Sequence, residues 1–156
     1  MGVMLTQAGY DRLTNELRHL VSVDRPKAYQ FVEDTRPIGI VEDNTEYMQA
    51  IAEQNKIEKK INDLTELLSQ SIIFSKCMCR ENIVSFGATV EIIDLESDEI
   101  KHYTIVSSYE SDIPNGLISI QSPFVKNILG MTVGDEFDFN DREYIINDIN
   151  YQILEG

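Results

Sequence analysis

The sequence predicts an α+β protein: an N-terminal antiparallel α-helical coiled-coil hairpin followed by a β-sheet domain with one short helix. Three observations predict it. Apolar residues recur at alternating steps of three and four through the first half. A break at Arg36-Pro37-Ile38-Gly39 divides that half in two. Beyond residue 82 the pattern changes to short β-branched and aromatic runs separated by turn residues. The expected boundaries are 1–75 for the hairpin, 76–82 for a linker and 83–156 for the sheet domain.

Tyr10, Leu13, Leu17 and Leu20 share one face of a helix that opens near Thr6, a residue suited to capping it. Pro26 lacks a backbone donor and is expected to kink this helix, after which Phe31 and Val32 resume an apolar face up to about residue 35. In the second helix Tyr47, Ala50, Gln54, Ile57, Ile61, Leu64 and Leu68 form a heptad-like seam with one polar interruption, and no proline or glycine lies between Val41 and Phe74. Two helices of about thirty residues joined by a short turn pair side by side over about 45 Å. The turn at 36–42 is then the far end of the hairpin.

Strands are expected at 88–93, 103–106, 117–120, 136–139 and 144–146, each rich in β-branched or aromatic residues. Ser122-Pro123 followed by Gly130 brackets a short helix, with a cap, a proline at its first position and a glycine past its end.

With 156 residues, 42% of them hydrophobic, the chain can fold into one domain or two small ones. It has no apolar run of eighteen residues and no signal-peptide pattern at its start, so a cytoplasmic location away from membranes is expected. Cys77 and Cys79 have no partner pair or nearby histidine to complete a zinc site and read as reduced thiols. The net charge of −14 argues against unaided binding to free DNA or RNA, whose affinity rests on cationic groups. Residues 1–78 hold 9 Lys/Arg against 12 Asp/Glu, whereas residues 79–156 hold 4 against 15, so the acidic second half suits a basic protein surface.

The opening runs Thr6-Gln7-Ala8-Gly9-Tyr10 through Leu13, Glu16-Leu17 and Leu20 to Arg25-Pro26, and Asn44-Thr45-Glu46-Tyr47 precedes Glu58, Lys60 and Ile61. The second half carries Phe86-Gly87-Ala88-Thr89-Val90, Ser122-Pro123, and Leu129-Gly130 before Val133-Gly134-Asp135. In this order the segments resemble the Gre family of bacterial transcript-cleavage and transcription elongation factors. The opening is similar to the start of that family's first helix, Asn44-Thr45-Glu46-Tyr47 resembles its tip-to-second-helix motif, and Glu58, Lys60 and Ile61 sit where its second helix has similar residues.

The resemblance implies an FKBP-like second domain that docks on bacterial RNA polymerase while the coiled coil enters the secondary channel and stimulates cleavage of backtracked RNA. By this implication the chain is not itself an enzyme, works as a monomer, and meets nascent RNA only within the polymerase complex. Its tip carboxylates would help hold a Mg2+ ion shared with the polymerase active site, a hard cation that takes oxygen ligands. Asp43 is the expected catalytic and metal-binding carboxylate, joined by Glu42 or Glu46. Gln121, Ser122, Pro123 and Phe124 are the expected docking residues, and Arg36 and Lys56 the expected RNA contacts.

Three departures bear on activity. The family tip reads Gly-Asp-Leu-x-Glu-Asn, but here Gly39-Ile40-Val41-Glu42-Asp43-Asn44 puts isoleucine at the first acidic place and a shorter carboxylate at the second. Ile51 stands where a basic residue is common, and Gln121 replaces the usual Asp or Asn before Ser-Pro. Two further readings therefore stay open. One is a non-cleaving regulator that occupies the secondary channel. The other is a free-standing prolyl isomerase, for which Phe86, Tyr103, Phe124 and Phe137 would have to line a pocket instead of a core.

Overall fold

The computed structural model describes residues 2–37 and 44–152. The chain divides into two compact units, Tyr10–Ser71 and a second formed by Gly2–Gly9 with Ile72 onward. No helix among the described residues is long and apolar enough to cross a membrane.

In the first unit, α1 (Gln7–His19) runs through a π-helical turn at Leu20–Asp24 into α2 (Arg25–Thr35), and α3 (Thr45–Ser69) packs against α2. The helix opens as its sequence predicts, with the Thr6 hydroxyl accepting the Gly9 N–H at 3.0 Å. At Pro26 the outcome is more specific than a kink. The turn before it widens, so that the Arg25 N–H bonds to the Leu20 carbonyl. A proline ring clashes with the carbonyl four residues back, and widening the turn moves that carbonyl aside. The Ser22 hydroxyl also donates to the Arg18 carbonyl at 2.7 Å, a bond that favours bending.

The wider turn shifts the phase of the whole of α2. Val32 is buried, whereas Phe31, expected on the same face, is 37% exposed. The inner seam comprises Leu20, Ala28, Ile57 and Ile61, flanked by Leu17 and Leu64. Near the end of α3 it is Leu67 that is buried, while Leu68 is half-buried, so the apolar stripe broadens in the last turn.

The second unit begins with β1 (Val3–Leu5), which pairs with β2 (Ser71–Ile73), two short strands that the sequence pattern does not predict. Then come β3 (Thr89–Asp94), β4 (Ile100–Val106), β5 (Leu117–Ser119), α4 (Pro123–Ile128), β6 (Glu136–Phe139) and β7 (Arg142–Asn150). The sheet order is β5-β4-β3-β7-β6, with β4 and β5 parallel and the other pairs antiparallel. Every strand expected from sequence lies within one of these or overlaps it. The segment 76–82 carries a tight 3-10 turn, Lys76–Met78.

One face of this sheet is apolar because alternate residues of each strand point the same way. Val90, Ile92, Ile105, Ile118 and Ile146 bury there against Val125 and Ile128 of α4. Gly87 adopts a left-handed φ of +87°, and the Phe74 ring lies where a side chain would begin. Both features require glycine.

Candidate functional sites at the helix ends and the sheet-to-helix turn

Asn44 organises the end of the hairpin where α2 stops and α3 starts. Its Oδ1 accepts the Tyr47 N–H at 2.9 Å, capping α3, and its Nδ2 donates to the Thr35 carbonyl at 3.3 Å. One side chain thus satisfies a free donor of α3 and a free acceptor of α2. Ile40, Glu42 and Asp43, which carry the expected catalytic and metal-binding roles, lie outside the described residues.

Glu46 is an exposed carboxylate in the first turn of α3, a place favoured by the helix dipole and accessible to a cation. Among the described residues no group of three or more His, Cys, Asp or Glu side chains converges as a metal site. Arg36 ends α2, more than half exposed, with an ion pair from Nη2 to Glu33 Oε1 at 3.1 Å. Lys56 is exposed on α3, and Ile51 is half-buried.

Farther along the hairpin, Glu58 of α3 takes a two-pronged bond from Arg25, Nε to Oε1 at 2.8 Å and Nη2 to Oε2 at 2.9 Å. The Tyr29 hydroxyl donates to Glu58 Oε1 at 3.1 Å. The Arg25 hydrogen bond holds the Glu58 carboxyl below the usual carboxylate range, against a smaller desolvation effect. The same contacts push the Arg25 guanidinium and the Tyr29 phenol upward. Arg25 and Glu58 stand in the sequence motifs quoted above, but their pairing across 33 positions is not readable from spacing.

In the second unit, Ser122 caps α4 by accepting the Val125 N–H at 3.3 Å, followed by Pro123 in the first turn. Gln121 and Pro123 are exposed and Ser122 is half-buried, so the turn offers a polar and a rigid apolar group to a partner. Phe124 faces inward instead. Its ring meets Phe139 at 5.1 Å, Tyr103 at 5.6 Å and Phe137 at 5.7 Å. Its edge-on contacts belong to the aromatic border of the core.

The pocket residues considered for an isomerase divide. Phe86 and Phe137 are core, whereas Tyr103 and Phe124 line a shallow cavity of about 250 Å³ with Ile118, Phe139 and Tyr144. Cys77 and Cys79 are free thiols, and burial pushes the Cys79 thiol up.

A buried polar cluster is centred on Glu110, which lies outside the motifs of the sequence. Glu110 is 7% exposed and accepts bonds from the Thr6 N–H at 3.2 Å, the Thr6 hydroxyl and the Ser107 hydroxyl at 2.7 Å. Its carboxylate also fills the space beside Gly9, where a Cβ would collide with it. The 104-residue separation from Thr6 leaves no local signal for this contact.

Comparison with known proteins covers both units. Residues 3–73 match the family described as "Transcription elongation factor, N-terminal", and residues 80–151 match "Transcription elongation factor, GreA/GreB, C-term". Transcription elongation factor GreA of Nautilia profundicola is 37% identical, over 87% of this chain and 84% of its own. GreA of Helicobacter pylori strain Shi470 is 34% identical over 95% and 93% respectively. The crystal structure of GreA factor homolog 1 of Thermus thermophilus is 28% identical, covers 96% of this chain and 99% of its own, and superposes with a TM-score of 0.46.

Proposed function

The chain belongs to the GreA/GreB family of transcription elongation factors, and from that premise we propose that it binds bacterial RNA polymerase and stimulates cleavage of backtracked RNA. The observation that carries this reading is the match of both units, in order, to the two family halves. In it the second unit docks on the polymerase and the helical hairpin enters the secondary channel. Hydrolysis belongs to the polymerase; this chain works as a cytoplasmic monomer that meets nascent RNA only inside that complex.

Each unit has a property suited to its part. The acidic second half, 15 Asp/Glu against 4 Lys/Arg, favours a basic partner surface and disfavours naked nucleic acid. Gln121, Ser122 and Pro123 form an accessible, preordered turn, so little conformational freedom is lost on docking. Asn44 ties the end of α2 to the start of α3. Arg36 and Lys56 leave cationic groups exposed on the hairpin for the RNA backbone.

A Mg2+ ion shared with the polymerase would supply Lewis-acid assistance and a water of lowered pKa. Asp43 would lend it an oxygen ligand, with Glu42 or Glu46 as the second. Glu46 fits by its exposure and by the hard oxygen donors it presents. Ile40 removes the family's first carboxylate, which favours a slower factor or, at the limit, a regulator that occupies the channel without cleavage.

The test is direct. Added with magnesium to backtracked bacterial polymerase complexes, the protein should shorten the RNA from its 3′ end. Complexes that bind the protein yet keep full-length RNA would replace cleavage with channel occupation, and complexes that do not bind it would end the reading.

A further inference from the structure

The π-turn at Leu20–Asp24 decides which residues of α2 face α3. In an uninterrupted helix the Leu13, Leu17 and Leu20 face would continue through Phe31, since 18 residues from Leu13 make about five turns. The wider turn takes up about one extra residue and rotates the succeeding helix by about 100°. Ala28 and Val32 are consequently buried, and Phe31 is pushed outward. The same rotation carries Arg25 and Tyr29 to the flank of the seam, where both reach Glu58.

Apolar packing alone specifies this alignment weakly. Ala50, Ile57 and Ile61 repeat at coiled-coil spacing, so sliding one helix by a turn exchanges one small or aliphatic contact for another. A fork-shaped guanidinium on a carboxylate accepts one alignment. Arg25 and Glu58 keep 33% and 31% of their side-chain surface exposed, which suits a role in geometry more than in bulk stability. A slip of one turn would displace one helix end by about 5.4 Å relative to the other. Magnesium ligation at about 2.0–2.1 Å does not tolerate that error.

We infer that Arg25, Glu58 and Tyr29 are positioning residues, a register lock in the hairpin that sets how the facing ends of α2 and α3 are presented to the polymerase. This rests on the cleavage reading for its functional consequence, but not for its structural one. The test therefore has two arms.

In the first, Arg25→Leu, Arg25→Lys and Tyr29→Phe are titrated into backtracked complexes with magnesium. The maximal cleavage rate at saturating factor should fall about tenfold or more for Arg25→Leu and less for the other two, with half-saturating concentrations within about twofold of the parent. A role in stability alone predicts the parental maximal rate wherever circular dichroism shows the variant fully helical. That result would overturn the lock.

In the second arm, spin labels are attached through Lys27→Cys and Asn55→Cys, both at exposed positions, in a chain with Cys77→Ser and Cys79→Ser. The background should give one interhelix distance, and Arg25→Leu should add a second population. An unchanged single distance overturns the lock even if no protein tested stimulates cleavage, an outcome that would count against the proposed function instead. Should Arg25→Leu fail to fold, Arg25→Lys, which keeps the charge without the fork, decides both arms.

Discussion

Replacing Asn44 by alanine removes two bonds at once, and the structure separates their contributions. Loss of the cap on the Tyr47 N–H, 2.9 Å from Oδ1, should cost about 1 kcal/mol. Loss of the longer bond to the Thr35 carbonyl, 3.3 Å from Nδ2, should add about 0.5–1 kcal/mol. For a unit of this size, a combined cost of about 1.5–2 kcal/mol lowers the melting temperature by roughly 6–15 °C. Asn44→Asp is the informative control. It keeps the acceptor for Tyr47 and adds a charge that the start of α3 favours, but it loses the donor to Thr35. It should therefore lose about 1 kcal/mol or less. The assay is thermal unfolding followed by helical circular dichroism, with the order parent, Asn44→Asp, Asn44→Ala expected. An alanine variant that melts within about 2 °C of the parent would refute the assignment of Asn44 as a double tie.

Three other outcomes are expected. Glu110→Ala should destabilise the second unit by about 2–4 kcal/mol, because it strands the buried Thr6 and Ser107 donors; Gly9→Ala should be harmful for the complementary reason that its methyl meets the carboxylate, and urea titration of the pair checks both. Pro123→Ala should weaken polymerase binding with the fold intact, whereas Phe124→Ala should cost about 3–5 kcal/mol of stability through its three ring contacts; a melting curve beside a binding titration separates the two effects. Asp94 is held below the usual carboxylate range by the Glu96 backbone N–H first and the Arg142 guanidinium next. A depressed carboxyl contributes fully above its unfolded pKa of about 3.9 and loses that contribution as pH falls through the folded value. Urea stability should thus be flat in this respect from about pH 5 to 7 and decline in acid, and Asp94→Asn should show a shallower decline.

Much of the fold is legible in the sequence because it is periodic. The α3 seam, the five strands and the Ser-Pro opening of α4 each follow from local spacing or cap chemistry. The errors have a common origin in context. Phe31 belongs inside only if Pro26 bends the helix without changing its phase, whereas the structure answers Pro26 with a wider turn that rotates Val32 inward instead. β1 and β2 are three residues each, too short for alternation to register, and form because each gives the other a partner. At the sites, the cap at Ser122 is readable from its dipeptide, but the inward turn of Phe124 depends on aromatic neighbours that lie far from it in the chain. The Arg25–Glu58 and Glu110–Thr6 contacts depend on tertiary folding and leave no short-range trace. The roles proposed for Glu42 and Asp43 rest on family resemblance alone, since an adjacent acidic pair by itself reads as solvated surface.

The most direct measurement compares the parent, Asp43→Asn and Ile40→Asp for magnesium-dependent shortening of RNA in backtracked polymerase complexes, with polymerase affinity determined in parallel. Asp43→Asn removes one carboxylate charge at the position that should lend the ion an oxygen, and Ile40→Asp restores the family's first acidic residue. Asp43→Asn should cleave at least about tenfold more slowly than the parent, Ile40→Asp should cleave faster, and all three should bind alike. An Asp43→Asn variant that cleaves like the parent would contradict the proposed role of the acidic residues, as would a parent and an Ile40→Asp variant that both bind polymerase and leave the RNA intact.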